Sequence, residues 1–486
     1  MAKGLIFNTL SQALYVLSAM SIHFWLGRKL GQALYGDVVV ILSVSTVSGL
    51  ILKNGLKEAT SRFTATSPDR HLSVYLAAMK VQLPLSLGIT AAVFFGAGLI
   101  ASELHDLSLS AYIRIIALQV PGMGVYYLSY GFLNGRKQFG RQALLTAVYA
   151  LLRATLIIGL VVLGMKIVGV AVGTVLAAAA TALVGMALCS KAGCRGAFPV
   201  GPIVKLAVPI VIFFASVALL MHIDLLMLKR LQPSASAVGD YAAAGTFART
   251  PFFLLSAFYA VLLPLVASAH AADNGKLVRD YISQAIRCLL LILMPGLALL
   301  SSLATEVIAF FYGSQFSAAG APLSILCVGV GCLLLTVQLL TVSQAAGKPR
   351  VGSLLMVALL PVDVFLCMML IPRYGTVGAA LATTIAAGVG LLSAAGYIYA
   401  AFRVLPPLRS VANIAVASAV VYGLGRTFTV TGPRLLLFFA VQGAVYVVCL
   451  LALGEFSTQD LQILKRLVTP AAGGRQPDSI SNGEPS

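Results

Sequence analysis

Apolar residues run through this chain in blocks of about twenty, broken by short polar stretches, and a helix needs about 20 residues to cross the hydrocarbon of a bilayer. Fourteen such spans are predicted, centred near Leu17, Ser45, Leu87, Gly122, Leu152, Leu176, Ile212, Leu254, Leu291, Gly331, Leu360, Ile385, Val416 and Ala444. The longest internal break, Lys53 to Ser73, leaves no room for a soluble catalytic domain. The first block, about Leu5 to Leu26, is interrupted by Asn8, Ser11, Gln12 and His23 with no small-residue cleavage site after it, which predicts a retained first span. Residues 456–486 hold an amphipathic stretch (Leu461, Ile463, Leu464, Leu467) and then a Gly/Pro/Ser-rich end, read as a partly disordered cytoplasmic tail.

Composition removes the soluble alternative. Hydrophobic residues are 59% and charged residues 10%, with mean hydropathy +0.98, whereas a soluble domain carries about 25% charged residues. The net charge of +18 comes from 33 Lys and Arg against 15 Asp and Glu, scattered singly between apolar runs; without a basic stripe, nucleic acid is excluded as a partner. Alternating the spans from a cytoplasmic N-terminus leaves Arg28, Lys29, Lys166, Lys229, Arg230, Arg373, Arg426 and Arg434 on the far side, and Lys80, Arg114, Arg153, Arg249 and Arg287 within spans. The remaining cations all fall on the cytoplasmic side, which predicts an even span count and both termini inside. The chain is thus expected to be multi-pass in the cytoplasmic (inner) membrane, in contact with anionic lipids. Cys288, Cys327, Cys332, Cys367 and Cys449 sit in apolar runs as small hydrophobes, and Cys189 and Cys194 have no His nearby, so no metal site and no disulfide framework is expected.

The chain is written roughly twice. Arg28-Lys29-Leu30 leads to Gly36-Asp37, and Lys229-Arg230-Leu231 leads to Gly239-Asp240. Gly135-Arg136-Lys137 leads to Val168-Gly169-Val170-Ala171, echoed by Gly347-Lys348-Pro349-Arg350 and Val377-Gly378-Ala379-Ala380. Offsets of 201 to 212 residues enclose six spans, an even number, so the halves are parallel, related by an axis along the membrane normal. The predicted fold is an all-α integral membrane protein with about fourteen transmembrane helices: two parallel six-helix lobes around a central cavity, plus two C-terminal helices. The expected divisions are 1–200, 201–404, 405–455 and the tail.

A charge at bilayer depth costs about 2.5 to 3.5 kcal/mol on insertion scales, so it faces a cavity or a partner. Arg114, Arg153, Arg249 and Arg287 are the candidate cavity cations, and Asp224 and Asp363 the acids within spans. Each has a structural alternative. Arg114 and Arg287 lie near enough to span ends to snorkel. Arg153 and Asp363 occupy nearly equivalent places in the two halves and form either a shared cavity or a buried ion pair between lobes. Asp224, equivalent to His23, sits about one helical turn from Lys229 and Arg230, close enough for a local pair. Arg249 precedes Thr250-Pro251, where the backbone opens. Tyr126, Tyr127 and Tyr130 fit either sugar stacking or an interfacial belt.

Six plus six spans with two more resemble the multidrug/oligosaccharidyl-lipid/polysaccharide exporter superfamily, in its polysaccharide-transporter branch of O-antigen and exopolysaccharide flippases. The residues that carry this are Leu34-Tyr35-Gly36-Asp37, placed in a short loop before the second span, and Gly55-Leu56-Lys57-Glu58-Ala59 with Arg62-Phe63 after it. Ile223-Asp224, Leu228-Lys229-Arg230-Leu231 and Val238-Gly239-Asp240-Tyr241 add to it, and the resemblance covers about residues 1–455. It implies alternating-access transport of a polyprenyl-pyrophosphate-linked oligosaccharide or polysaccharide precursor. The implied partners are that lipid-linked anionic glycan, membrane lipids, polysaccharide-assembly proteins, and H+ or Na+ as a coupling ion at Asp224, Asp363 or His23. Four arginines against two aspartates give a net positive interior, suited to bidentate binding of phosphate. A drug/cation antiporter of the same superfamily would want an acidic cavity. A membrane-embedded glycan-processing enzyme would want paired catalytic carboxylates or a large outer loop, and neither a catalytic group nor a cofactor motif is found.

Overall fold

The computed structural model describes residues 2–190, 196–232, 234–251, 266–269, 272, 274–346, 348–404, 407–428 and 430–455. Among these residues every regular element is a helix, as backbone groups in lipid require: each N–H and C=O must be satisfied within its own segment. The tail with its amphipathic stretch, and the middle of the eighth span around Leu254, lie outside the described residues.

Helix α1 (Ala2–Lys53) has 52 residues, a path of about 78 Å and enough for two crossings. It turns back at Gly31, whose φ of 76° and ψ of 174° suit a residue without a side chain. The sequence reading placed Leu34–Asp37 in a loop; the chain instead stays helical through them, because one glycine suffices for the reversal. The Lys53–Ser73 break is likewise not an open connection. It folds into α2 (Gly55–Thr66), whose Leu56, Ala59, Thr60 and Thr64 recur at helical spacing and are buried.

The first lobe continues with α3 (His71–Glu103), α4 (Leu109–Ala117) and α5 (Gln119–Gly135) as one broken crossing, α6 (Phe139–Leu160) and α7 (Lys166–Cys189). The second lobe holds α8 (Val200–Leu220) and α9 (Ile223–Leu231) as one broken crossing, then α10 (Ala235–Ala248), α11 (Gly275–Ser302) with the short α12 (Ala304–Tyr312), and α13 (Gly320–Ala345). Its last element, α14 (Pro349–Phe402), has 54 residues and makes two crossings, reversing at Gly375. Two further helices, α15 (Leu408–Thr427) and α16 (Arg434–Ala452), complete the fourteen-helix membrane fold.

Backbone geometry carries the internal repeat further than sequence does. The offset of 209 residues between Gly169 and Gly378 maps Lys166 onto Gly375. Lys166 has φ 42° and ψ −124°, and Gly375 has φ 57° and ψ −128°. The same reversal joins the last two helices of each lobe, and the first lobe makes it with a lysine in a conformation that L-residues avoid.

The face from which α1, α8 and the second lobe's α14 begin, and where α2 lies, is called proximal here, and the opposite face distal. Large apolar side chains such as Phe95 (81% exposed) and Leu392 (76%) line the outside, where acyl chains are the solvent. The extra helices are held to α11 by the Tyr446 hydroxyl, which donates to the Leu291 carbonyl at 3.0 Å.

Candidate functional site

At the distal face, the motifs that repeat in sequence are the ones that touch across the lobes. Gly36 of α1 packs on Gly239 of α10: a Cβ at Gly36 would lie 2.8 Å from the Gly239 nitrogen. A Cβ at Gly239 would run into the Gln32 carbonyl. The aspartate after each glycine is then bound from the opposite lobe. Lys229 Nζ lies 2.8 Å from Asp37 Oδ1 and 2.8 Å from Asp106 Oδ2, while Gln32 Nε2 donates to Asp240 Oδ1 at 2.8 Å. Around this seam Arg28 donates to the Phe310 and Phe311 carbonyls, and the Tyr35 and Tyr312 hydroxyls lie 2.8 Å apart. Sequence reasoning treated these glycines and aspartates as markers of the repeat and of the family resemblance; their recurrence beside a cation was the signal that they form a seam.

Asp106, in the loop after α3, feels two opposed effects. Burial raises its pKa, but hydrogen bonds from Lys229 and Ser108 and the Lys229 charge outweigh it, leaving the carboxyl below its ordinary value. A depressed carboxylate contributes stability above its unfolded pKa of about 3.9 and loses it only as pH falls through the lower folded value. The Lys229–Asp106 contact is therefore expected to hold from neutral pH down to about pH 4. Thr246, whose hydroxyl lies 3.4 Å from Tyr35 beneath the seam, offers a reporter position. A Thr246→Cys thiol should stay closed to an impermeant maleimide at pH 7, and become reactive when Lys229→Gln is added. Equal protection in that double variant would show that the ion pairs do not hold the seam.

Inside the second lobe, α8 breaks before α9 and α10 ends at Ala248, so Asp224 and Arg249 are both presented at helix ends. Asp224 is 1% exposed; its Oδ1 accepts from Arg249 Nη2 at 3.2 Å and from the Leu225 amide at 2.8 Å, and its Oδ2 from the Tyr241 hydroxyl at 2.7 Å. The local pair with Lys229 and Arg230, one alternative for Asp224, is not made: Lys229 is taken by Asp37 and Asp106, and Arg230 by Glu103 at 2.9 Å. Asp363, on α14, is fully buried within electrostatic range of Asp224. Its Oδ2 has no partner among the described residues, and Cys367 Sγ lies 4.0 Å from Oδ1. Of the two readings of Arg153 and Asp363, the buried ion pair between lobes is not made among the described residues.

The first lobe has a different chemistry. Arg153 stands one turn beyond Tyr149 on α6, with its Nε buried and unpartnered among the described residues. Tyr149 stacks on Tyr15 of α1 with centroids 6.1 Å apart and lies 5.2 Å from Tyr126 of α5. Tyr127 is within electrostatic range of Arg153, and Tyr130 accepts from Gln12 Nε2 at 3.1 Å. Arg153 of the first lobe and Arg249 of the second both lie within electrostatic range of His23, whose Nδ1 is 3.1 Å from the Tyr35 hydroxyl.

The other two candidate cations are placed apart from this group. Arg114 is exposed on α4 with its guanidinium 6.0 Å from the Phe94 ring. Arg287 Nε bonds Glu455 Oε1 at 2.9 Å, and Asn413 bonds the same carboxylate at 3.0 Å, so this arginine fastens α15 and α16 to the second lobe. The described residues contain no group of His, Cys, Asp and Glu able to hold a metal ion.

A family model described as "Polysaccharide biosynthesis protein" matches residues 1–270. No curated protein sequence matches. Among solved structures, the lipid II flippase MurJ in an inward closed conformation superposes with a TM-score of 0.74 at 15% identity, over 95% of this chain and 100% of that one. A multidrug resistance MATE family transporter in an inward-facing conformation gives 0.68 at 17%, over 80% and 95%. A MOP superfamily transporter from Pyrococcus furiosus gives 0.62 at 16%, over 82% and 95%. These likenesses establish the fold.

Proposed function

The chain belongs to the polysaccharide biosynthesis protein family, and from that premise we propose that it is a flippase for a polyprenyl-pyrophosphate-linked oligosaccharide or polysaccharide precursor, working by alternating access across the cytoplasmic membrane. One observation carries the reading: the first lobe offers Arg153, whose buried Nε has no partner among the described residues, beside tyrosines and with no acid nearby in its spans. All acidic residues before Val200 (Asp37, Glu58, Asp69, Glu103 and Asp106) lie at span ends or in connections. Such a pocket suits an anionic head group bearing sugars, with Arg153 binding phosphate oxygens and tyrosine faces meeting pyranose rings. It opposes a cationic drug, which favours the flippase over the antiporter. That the neighbour superposing over the full chain is a lipid II flippase agrees with this reading.

Asp224, Asp363 and Arg249 supply the coupling. With the carboxylate of Asp224 charged, Arg249 is held to it. A proton or sodium ion at the Asp224–Asp363 pair neutralises the carboxylate and frees Arg249, which joins Arg153 on the cargo near His23. The loop charges support a cytoplasmic proximal face. Loading from that side then takes place while the distal seam is closed.

The test is reconstitution. Purified protein in liposomes should transfer a polyprenyl-pyrophosphate-linked oligosaccharide between leaflets, faster under an imposed proton or sodium gradient. Asp363→Asn or Asp224→Asn should abolish the gradient's effect while leaving folded protein. Gradient-driven movement of a cationic dye with no glycan-lipid transfer would replace the flippase by the antiporter. Gradient-stimulated transfer undiminished in both Asn variants would remove the coupling role.

A further inference from the structure

A cavity of about 520 Å³ lies between α8 and α14. Both helices start at the proximal face, so they run parallel there. On α8 the lining residues Lys205, Val208, Pro209 and Ile212 are spaced by three and four, one face of a helix. On α14, Arg350, Ser353, Leu354 and Val357 repeat the same spacing. Two matched stripes therefore face one groove. Each begins with a cation in the opening turns of its helix and continues for seven residues, about 10 Å, of mainly apolar wall toward the bilayer centre. Ser353 Oγ reaches the Pro209 carbonyl at 3.1 Å and ties the walls together. Among the described residues neither Lys205 nor Arg350 makes an ion pair, and no carboxylate lines the groove.

The required occupant has an anionic head and an apolar chain. A soluble anion would leave the apolar walls bare, and a neutral apolar molecule would leave the cations unused. Leu354 is 71% exposed, so the groove opens to whatever surrounds the protein rather than enclosing its occupant. We infer that the groove binds one anionic phospholipid of the proximal leaflet, its phosphate between Lys205 and Arg350 and an acyl chain along Pro209, Ile212, Leu354 and Val357. None of these residues belongs to the seam, the Asp224 cluster or the Arg153 pocket, so the site stands apart from the transport reading.

Native mass spectrometry of the full chain, released from vesicles of equimolar phosphatidylglycerol and phosphatidylcholine, tests this. The wild type should retain one phosphatidylglycerol in preference to phosphatidylcholine by roughly thirtyfold, the contribution of two interfacial cations. Lys205→Gln with Arg350→Gln should bring the ratio near unity. Val357→Trp keeps both charges but fills the apolar wall, and should cut retention of either lipid. Thermal unfolding of each variant, matched to the wild type, shows that the loss is local. Unchanged preference in the double Gln variant, or full retention in Val357→Trp, overturns the proposal. Displacement of the lipid by a polyprenyl phosphate at one tenth its concentration would also overturn it, by assigning the groove to the carrier.

Discussion

An Arg153→Ala protein is expected to reach the membrane in normal amount and to transfer no measurable glycan-lipid. The buried Arg153 Nε has no partner to lose among the described residues, so removing the guanidinium leaves no stranded carboxylate behind. Breaking a buried ion pair would instead cost about 3 to 5 kcal/mol and deplete the folded protein. What disappears is a set of charge-assisted hydrogen bonds to phosphate, each worth about 1.5 to 3 kcal/mol, roughly a tenfold to hundredfold loss of binding. Arg153→Lys should recover part of the activity, since the charge survives without the planar fork. Arg249→Ala should behave otherwise: Asp224, 1% exposed, loses its ionic partner, and abundance should fall together with transport. Membrane abundance measured beside surface-glycan output separates the two. Full transport by Arg153→Ala would end the phosphate-binding role.

Gly239→Ala should arrest the cycle, a result out of proportion to one methyl group. The added Cβ meets the Gln32 carbonyl and lies 3.1 Å from the Gln32 Cα, backbone atoms that move only if the lobes separate. The distal seam then cannot close. Gly36→Ala meets the Gly239 nitrogen at 2.8 Å and should do the same from the other side. Gly49 provides the control on α1, since nothing lies within 4 Å of its added Cβ. There alanine is expected to be neutral or to stabilise the helix by about 0.5–1 kcal/mol. The expected outcome is loss of transport for the two seam variants, strong maleimide labelling of Thr246→Cys in their background, and normal behaviour for Gly49→Ala. Transport at wild-type rate with a seam alanine would show that this contact does not have to close.

Hydrophobic runs, loop charges and the parallel repeat were legible in the chain because each is local or periodic. A spanning helix satisfies its hydrogen bonds within itself, so twenty apolar residues announce it whatever surrounds them. The charged residues at bilayer depth were legible too, since they are few enough to name one by one: Asp224 and Asp363 are buried, and Arg153 and Arg249 half-buried. Connections were read less well. Two segments taken as loops, 34–37 and most of 53–73, are helical, because one glycine reverses α1 and a short amphipathic face is enough to dock α2.

Which charge meets which was decided only in three dimensions. Lys229 lies five residues from Asp224 yet bonds Asp37, 192 residues away, because the end of α9 faces the opposite lobe while Asp224 turns toward α10. Arg287 looked like a cavity cation, and the crossing of α15 and α16 over α11 gave it to Glu455 instead. The sequence by itself determined that this is a duplicated bundle of membrane helices with a few charges at bilayer depth, for hydropathy and repetition are written residue by residue. The tertiary structure decided that Arg249 would be held by an aspartate and that the Arg153 Nε would have no partner among the described residues. An ion pair needs two atoms within about 4 Å, and that distance is set by the crossing of helices far apart in the chain.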